Sequence, residues 1–112
     1  MVGDLVIWQK LVDLNIYIIP LCSKFPKSQR FVLGQQIQNK VLNMVKTTIE
    51  ANKSRNKTIL LDKLDTELEQ LRFLIRTSVE LKMIPTKQYE YISKLSNEIG
   101  RLIGGWQRKF KL

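Results

Sequence analysis

The chain has 112 residues, of which 44% are hydrophobic, so it is long and apolar enough to form one folded domain, residues 1–112, and lacks the composition of a disordered protein. It carries 19 Lys and Arg against 10 Asp and Glu, which gives a formal net charge of +9 and favours an anionic partner. With no His and a single Cys, the sequence excludes Ser-His-Asp and Cys-His catalysis and disfavours a metal site.

Apolar residues recur at helical spacing nearly throughout the chain, and no sustained alternating pattern of strands is present. We therefore predict four helices, at about residues 4–24, 29–52, 57–82 and 87–110. The connections KFPKS, NKSRN and MIPT are short, so neighbouring helices should be antiparallel. The predicted fold is an all-α, up-down four-helix bundle.

The first helix is predicted to begin with Asp4 as its N-cap and to bend at Pro20, which removes a backbone hydrogen bond. Its core stripe is predicted to comprise Leu5, Trp8, Leu11, Val12, Ile18, Ile19 and Cys22. A lone Cys on an apolar face is more typical of a core position than of a nucleophile, and it fits a reducing, cytoplasmic compartment. The opening of the chain does not resemble a signal peptide, and no apolar run is long enough to predict a membrane span.

The other three helices show narrower apolar stripes at alternating spacings of three and four residues. The second is predicted to bury Ile37, Val41, Met44, Val45 and Thr48. The third is predicted to bury Leu61, Leu64, Leu68, Leu71, Ile75 and Ser78. The fourth, which Thr86 is predicted to cap, should bury Ile92, Leu95, Ile99, Leu102 and Trp106.

The third helix also carries four carboxylates near basic residues, and surface ion pairs explain these better than acid–base catalysis. The carboxylates are Asp62, Asp65, Glu67 and Glu69, and the nearby cations are Lys63, Arg72 and Arg76. We therefore expect a protein that is not an enzyme and needs neither a cofactor nor a metal.

Positive charge recurs every seven residues on the fourth helix, at Lys87, Lys94, Arg101 and Arg108. These residues form one stripe, which drifts by about 20° per heptad because the helical repeat is 3.6 residues. Lys46 and Lys53 of the second helix also point away from its core stripe. Such rows of cations suit a phosphate backbone, and without an aromatic stacking platform they should not read sequence. The alternative is a solvated face on which Glu90 pairs with Lys94 and Glu98 with Arg101.

Small residues at Ser96, Gly100 and Gly104 are spaced four apart on the fourth helix. We predict that this ridge points away from the bundle core and admits another backbone closely, as small residues do elsewhere. The alternative is that Gly104 and Gly105 end the helix. Phe73 and Ile103 add apolar surface, so we expect a homo-oligomer interface formed by Ser96, Gly100, Gly104, Phe73 and Ile103.

Three segments together resemble the accessory variability determinant (Avd) family of diversity-generating retroelements. They are YIIPLCSKFPKSQRFVLGQQI (17–37), LRFLIR (71–76) and EIGRLIGGW (98–106), and the resemblance covers nearly the whole chain. The opening LVIWQK also resembles the related four-helix-bundle proteins encoded in intervening sequences of bacterial 23S rRNA genes. For those, the alternative function is a structural or interaction role.

The Avd resemblance implies a ring or barrel of bundles, specifically a homopentamer. It implies a non-catalytic partner of the retroelement's reverse transcriptase and RNA, acting in mutagenic cDNA synthesis and retrohoming. By the same resemblance, Arg72 and Arg76 belong to the surface that binds polymerase and nucleic acid, although Glu69 and Glu80 can pair with them. We extend this role to Lys94, Arg101, Arg108, Lys46 and Lys53, with RNA or DNA as the partner.

Overall fold

A computed structural model of the protein describes residues 2–110, and the side chains from residue 6 onward. Four long helices account for most of this range: α1 (Val2–Ser23), α2 (Gln35–Lys53), α3 (Thr58–Glu80) and α4 (Thr86–Phe110). A helical turn, Lys27–Gln29, and a π-helical segment, Arg30–Gly34, lead into α2. No strand occurs within residues 2–110, so the prediction of an all-α fold is confirmed over that range.

The helices follow one another around the bundle in chain order. Helix α1 packs against α2 and α4, and α3 packs against the same two neighbours. Lys10 of α1 lies beside Glu98 of α4, and Tyr17 lies beside Tyr91, so these two helices run in opposite directions. The resulting rod measures 45 × 23 × 20 Å, and the groove between α1 and α2 lies opposite the groove between α3 and α4.

The core is the continuous interior where the four apolar stripes meet. The stripes predicted for the last three helices are confirmed, with only Val45 and Leu102 half-buried at the edge. In α1 the buried residues are instead Ile7, Leu11, Leu14, Ile18 and Cys22. The prediction that Trp8 and Ile19 lie in the core is wrong, because α1 is apolar on more than one side and periodicity alone does not fix its inner face.

The start of the second predicted helix differs from expectation. Residues 30–34 are π-helical, and the regular α-helix begins only at Gln35. Gly34 is buried where this segment passes the end of α1, and a β-carbon there would lie 3.5 Å from the β-carbon of Cys22. A wider helical turn therefore joins the KFPKS connection to α2.

Neither predicted N-cap residue precedes its helix in the structure. Thr86 is the first residue of α4 and not its N-cap, and the first backbone bond runs from the Tyr89 N–H to the Pro85 carbonyl, at 3.0 Å. Helix α1 begins at Val2, before Asp4, and the side chains of Asp4 and Leu5 lie outside the described residues.

The two later connections are fixed by hydrogen bonds. Lys57 closes α2, because its ammonium donates to the carbonyls of Ala51, Asn52 and Ser54 at 2.7, 3.0 and 2.8 Å. After α3, the Met83 N–H donates to the Ser78 carbonyl at 2.8 Å and the Lys82 N–H to that of Val79 at 2.9 Å. This pair of bonds is a Schellman motif, with Lys82 at the left-handed position where glycine is usual.

Candidate functional site

A groove between α3 and α4 collects four arginines on one side of the bundle. We call it the arginine groove and define it by Arg72 and Arg76 of α3 and Arg101 and Arg108 of α4. It consists of two adjoining hollows of about 370 and 460 Å³, which share Arg72 and Asn97 in their linings. The spacing of four residues on α3 and seven on α4 places each pair on one helical face.

Contacts between the two helices set their register. The Gln107 amide donates to Asp62 at 3.0 Å near one end, and the Arg72 guanidinium donates to the Asn97 side chain at 3.3 Å. Because α3 and α4 are antiparallel, this register brings Arg72 level with the segment that contains Gly100 and leaves Arg76 closer to Tyr89.

The glycines of α4 make room for guanidinium groups. A β-carbon on Gly100 would lie 3.2 Å from Nη2 of Arg72, and one on Gly104 would lie 3.5 Å from Nη1 of Arg108. Nη2 of Arg72 also donates to the Ser96 carbonyl at 3.2 Å. Arg72 and Arg108 therefore lie across the helix surface where side chains are missing.

This arrangement corrects the predicted small-residue ridge. Ser96 is only 3% exposed and Ile103 is fully buried, so neither points away from the bundle. Gly100 faces Arg72 and Leu68 of the same chain. The alternative, that the glycines end the helix, is also wrong, because α4 continues to Phe110. Of the five predicted interface residues, Phe73 has the expected exposure, 70%.

The two α3 arginines are paired with acids, as expected. Arg72 forms an ion pair with Glu69, and Arg76 donates to Glu80 at 2.8 Å. The pKa of Arg76 is raised, first by a hydrogen bond with Tyr89 and then by Glu80. These contacts orient both guanidinium groups along the groove. Arg101 and Arg108 are exposed and carry the charge that faces solvent.

Glu98 does not neutralise Arg101 in the way that was predicted. Instead, Glu98 forms an ion pair with Lys10 of the neighbouring helix α1, and the distance from its Oε2 to the Lys10 Nζ is 2.8 Å. The hydrogen bond from Lys10 is the main cause that holds the Glu98 pKa below its ordinary value, and the charges of Lys94 and Arg101 lower it further. Lys94 and Glu90 line one hollow together with Arg101, so Lys94 borders the arginine groove.

The remaining predicted binding residues lie elsewhere. Lys46 and Lys53 are exposed on α2, which is diagonal to α4 in the bundle, so they do not join the arginine groove. Glu67, which was predicted to form a surface ion pair, is buried, and its Oε1 has no hydrogen-bond partner among the described residues. Glu67 differs from Glu69 because it lies beside the core stripe of α3.

Sequence reasoning missed an aromatic pair. The rings of Tyr17 and Tyr91 lie 4.5 Å apart between α1 and α4, and Tyr91 is partly exposed. A partly exposed ring therefore lies beside the basic stripe, where the sequence reading expected no aromatic residue. The available signal was the position of Tyr91 between Lys87 and Lys94, but its partner is 74 positions away and no local pattern shows it.

The described residues offer little support for a reactive thiol, a metal site or a membrane-spanning helix. Burial raises the pKa of the Cys22 thiol to about 11, so it is protonated at neutral pH, as expected of a core residue. Within the described residues, no cluster of three potential metal ligands occurs. None of the helices over residues 2–110 is long and apolar enough to cross a membrane.

A family model described as bAvd-like matches residues 5–110, which is nearly the whole chain. A comparison with curated proteins finds no match.

Proposed function

Because the chain belongs to the bAvd-like family, a family of accessory proteins, we propose that it is a non-catalytic partner of a diversity-generating retroelement's reverse transcriptase. In this role it binds RNA or DNA without sequence preference during mutagenic cDNA synthesis and retrohoming. The resemblance over residues 17–37, 71–76 and 98–106 supports the polymerase as the partner.

The arginine groove is the observation that carries the nucleic-acid part of this proposal. Guanidinium groups bind phosphate through paired, planar hydrogen bonds and stay charged at any physiological pH. On α4 the row from Lys87 to Arg108 spans 21 positions, which is about 31 Å of helix. A row of this length and charge suits several successive phosphates and no particular base.

Salt dependence tests the proposal directly. If the chain contacts about four phosphates, the logarithm of the binding constant should fall with the logarithm of salt concentration with a slope of about −3 to −4. Fluorescence anisotropy of a labelled RNA or DNA measures this slope. Absence of binding at low salt contradicts the proposal.

Charge reversal locates the binding face. The double variant Arg101→Glu/Arg108→Glu should abolish binding, because it changes the net charge by −4 on the exposed part of the arginine groove. The matched control is Lys46→Glu/Lys53→Glu, which makes the same charge change on α2. Equal losses in both variants contradict the assignment of binding to this groove.

Arg72 and Arg76 test the polymerase contact. Co-purification of a reverse transcriptase encoded beside this gene should be lost in Arg72→Glu/Arg76→Glu. A gene that lies in an rRNA operon, without a polymerase or a repeat pair beside it, contradicts the retroelement role and favours the intervening-sequence alternative.

The proposed homo-oligomer, five copies by resemblance, requires a copy-to-copy surface. We define the apolar face as the surface of Trp8, Val12 and Ile19 on α1 and Leu42, Val45 and Ile49 on α2, on the side where these two helices pack together. Lys46 and Lys53 border it, each four residues after a residue of the face. Trp8, Ile19, Leu42 and Ile49 are each between 42 and 50% exposed. Because copies with a charge of +9 repel each other, an apolar contact opposite the arginine groove is the surface that suits a second copy. It supplies one side of that contact, since a ring of five joins two different surfaces of each copy.

A further inference from the structure

The groove between α1 and α4 combines an aromatic pair with basic residues. We call it the tyrosine groove and define it by Tyr17, Tyr91 and the lining residues Ile16, Pro20 and Lys24. Its volume is about 410 Å³, enough for a planar aromatic group. The two rings lie 4.5 Å apart with their planes tilted by 50°, and Tyr91 is 42% exposed.

The basic stripe of α4 begins beside this groove. Lys87 lies four residues before Tyr91 and Lys94 three residues after it, so both lie next to the ring on the helix surface. Lys24 adds a third cation from the end of α1. Since the stripe drifts around the helix, Lys87 lies nearest α1, Lys94 lies between the two grooves in the hollow that it shares with Arg101, and Arg108 lies over Gly104 on the side of α3.

The polar groups inside the groove are suited to base edges more than to phosphates. Asp13 lines it, and its Oδ1 accepts a hydrogen bond from the Gln9 amide at 3.0 Å. A carboxylate repels phosphate but accepts hydrogen bonds from the N–H groups of a base. The Gln88 amide, which also lines the groove, donates and accepts such bonds.

We propose that the tyrosine groove stacks one base of single-stranded RNA or DNA on Tyr91, while Lys24, Lys87 and Lys94 hold the adjacent phosphates. The ring faces of bases stack on aromatic side chains whatever the sequence, so stacking by itself adds affinity for unpaired strands without adding sequence specificity. In a duplex the bases are already stacked and do not reach the ring. This inference rests on the proposed function, because it requires that the chain binds nucleic acid at all.

The test compares strands with and without bases. Labelled oligothymidylate and oligouridylate are measured against an abasic phosphodiester of the same length, which keeps the charge and removes the bases. The protein should bind both base-containing strands more tightly than the abasic strand. Tyr91→Leu should weaken binding of the two base-containing strands by about 5-fold or more and leave binding of the abasic strand unchanged. Tyr91→Phe should restore binding, since it keeps the ring.

Phe31→Leu is the control. Phe31 is also an exposed ring, at 70%, but it lies in the π-helical segment, does not line the tyrosine groove and belongs to neither the arginine groove nor the apolar face. It should not change the preference for base-containing strands. Circular dichroism is used to check that each variant folds. The comparison of strands on the unaltered protein does not depend on any variant.

The outcomes separate the two proposals. If the unaltered protein binds base-containing and abasic strands equally, the stacking site is overturned and the proposed function stands. If it binds neither at low salt, the proposed function itself fails. A preference for bases that Tyr91→Leu leaves unchanged overturns the assignment to this groove.

Discussion

Lys82 has an unusual backbone conformation. Within residues 2–110 it is the non-glycine residue with positive φ, at 62°, and it ends α3 at a position that favours glycine. An L-residue with a β-carbon is disfavoured in this region, so Lys82→Gly should raise the free energy of unfolding by roughly 1 kcal/mol. Urea denaturation measures this change.

Lys63→Gly, in contrast, should lower the free energy of unfolding. Lys63 is exposed in the interior of α3, where glycine costs about 1 kcal/mol relative to alanine. Destabilisation in both variants would contradict the view that the backbone at Lys82 is strained.

The Lys10–Glu98 ion pair makes stability depend on pH. The Glu98 pKa lies below its ordinary value of 4.5, chiefly because Lys10 donates to it, so the unfolded chain takes up this proton more readily. The pair therefore stabilises the fold above pH 4.5, and this stabilisation is lost as pH falls through the Glu98 pKa of the folded protein. The Lys10 pKa is raised for the same reason, so stability also falls above pH 10.5.

Thermal unfolding followed by circular dichroism between about pH 5 and 3 measures the acid limb. Glu98→Gln should show a smaller fall in melting temperature than the unaltered chain. Lys10→Met removes the pair from its other side and should give the same reduced slope. A slope that is unchanged in both variants contradicts a stabilising role for the pair.

At the scale of the helix, two glycines of α4 differ in how much room they leave for a β-carbon. Gly104→Ala should stabilise the protein by up to about 1 kcal/mol, because alanine favours the helix and its β-carbon makes an ordinary contact with Arg108, at 3.5 Å. Gly100→Ala should gain less, since its β-carbon would lie 3.2 Å from Arg72 and 3.4 Å from Leu68. Denaturation compares the two variants, and a larger gain from Gly100→Ala contradicts the crowding.

The helices differ in how much the sequence predicts. In α3 and α4 polar residues flank a single apolar stripe, so Leu64, Leu68 and Ile99 are predicted correctly as core. In α1, apolar residues surround the helix and the inner face depends on packing. The role of Gly100 was not predictable from its own helix, because the group that occupies its space, Arg72, comes from α3.

For the molecule as a whole, the apolar face and the arginine groove lie on opposite sides of the bundle. Chain order and antiparallel packing follow from short connections, so this placement was open to prediction once the inner face of α1 was known. The tyrosine groove could not be predicted from the sequence, because it brings together Tyr17 of the first helix and Tyr91 of the last. Tertiary contacts of this kind leave no local periodicity.

The apolar face predicts the effect of one substitution on assembly. Leu42→Lys should reduce the mass in solution towards that of one 13.2 kDa chain, because it places a charge in an apolar contact. Multi-angle light scattering measures the mass. Ile59→Lys, at an exposed apolar position on α3 outside this face, should leave the mass unchanged.

The opposite placement of these two surfaces determines how an assembly meets a long strand. In the proposed assembly, copies joined through the apolar face would turn their cationic sides outward, so a strand held by one copy would be presented to the next at a high effective concentration. Avidity then rises with strand length beyond a single copy's reach of about 31 Å. Such an assembly would therefore favour long strands over fragments without reading their sequence.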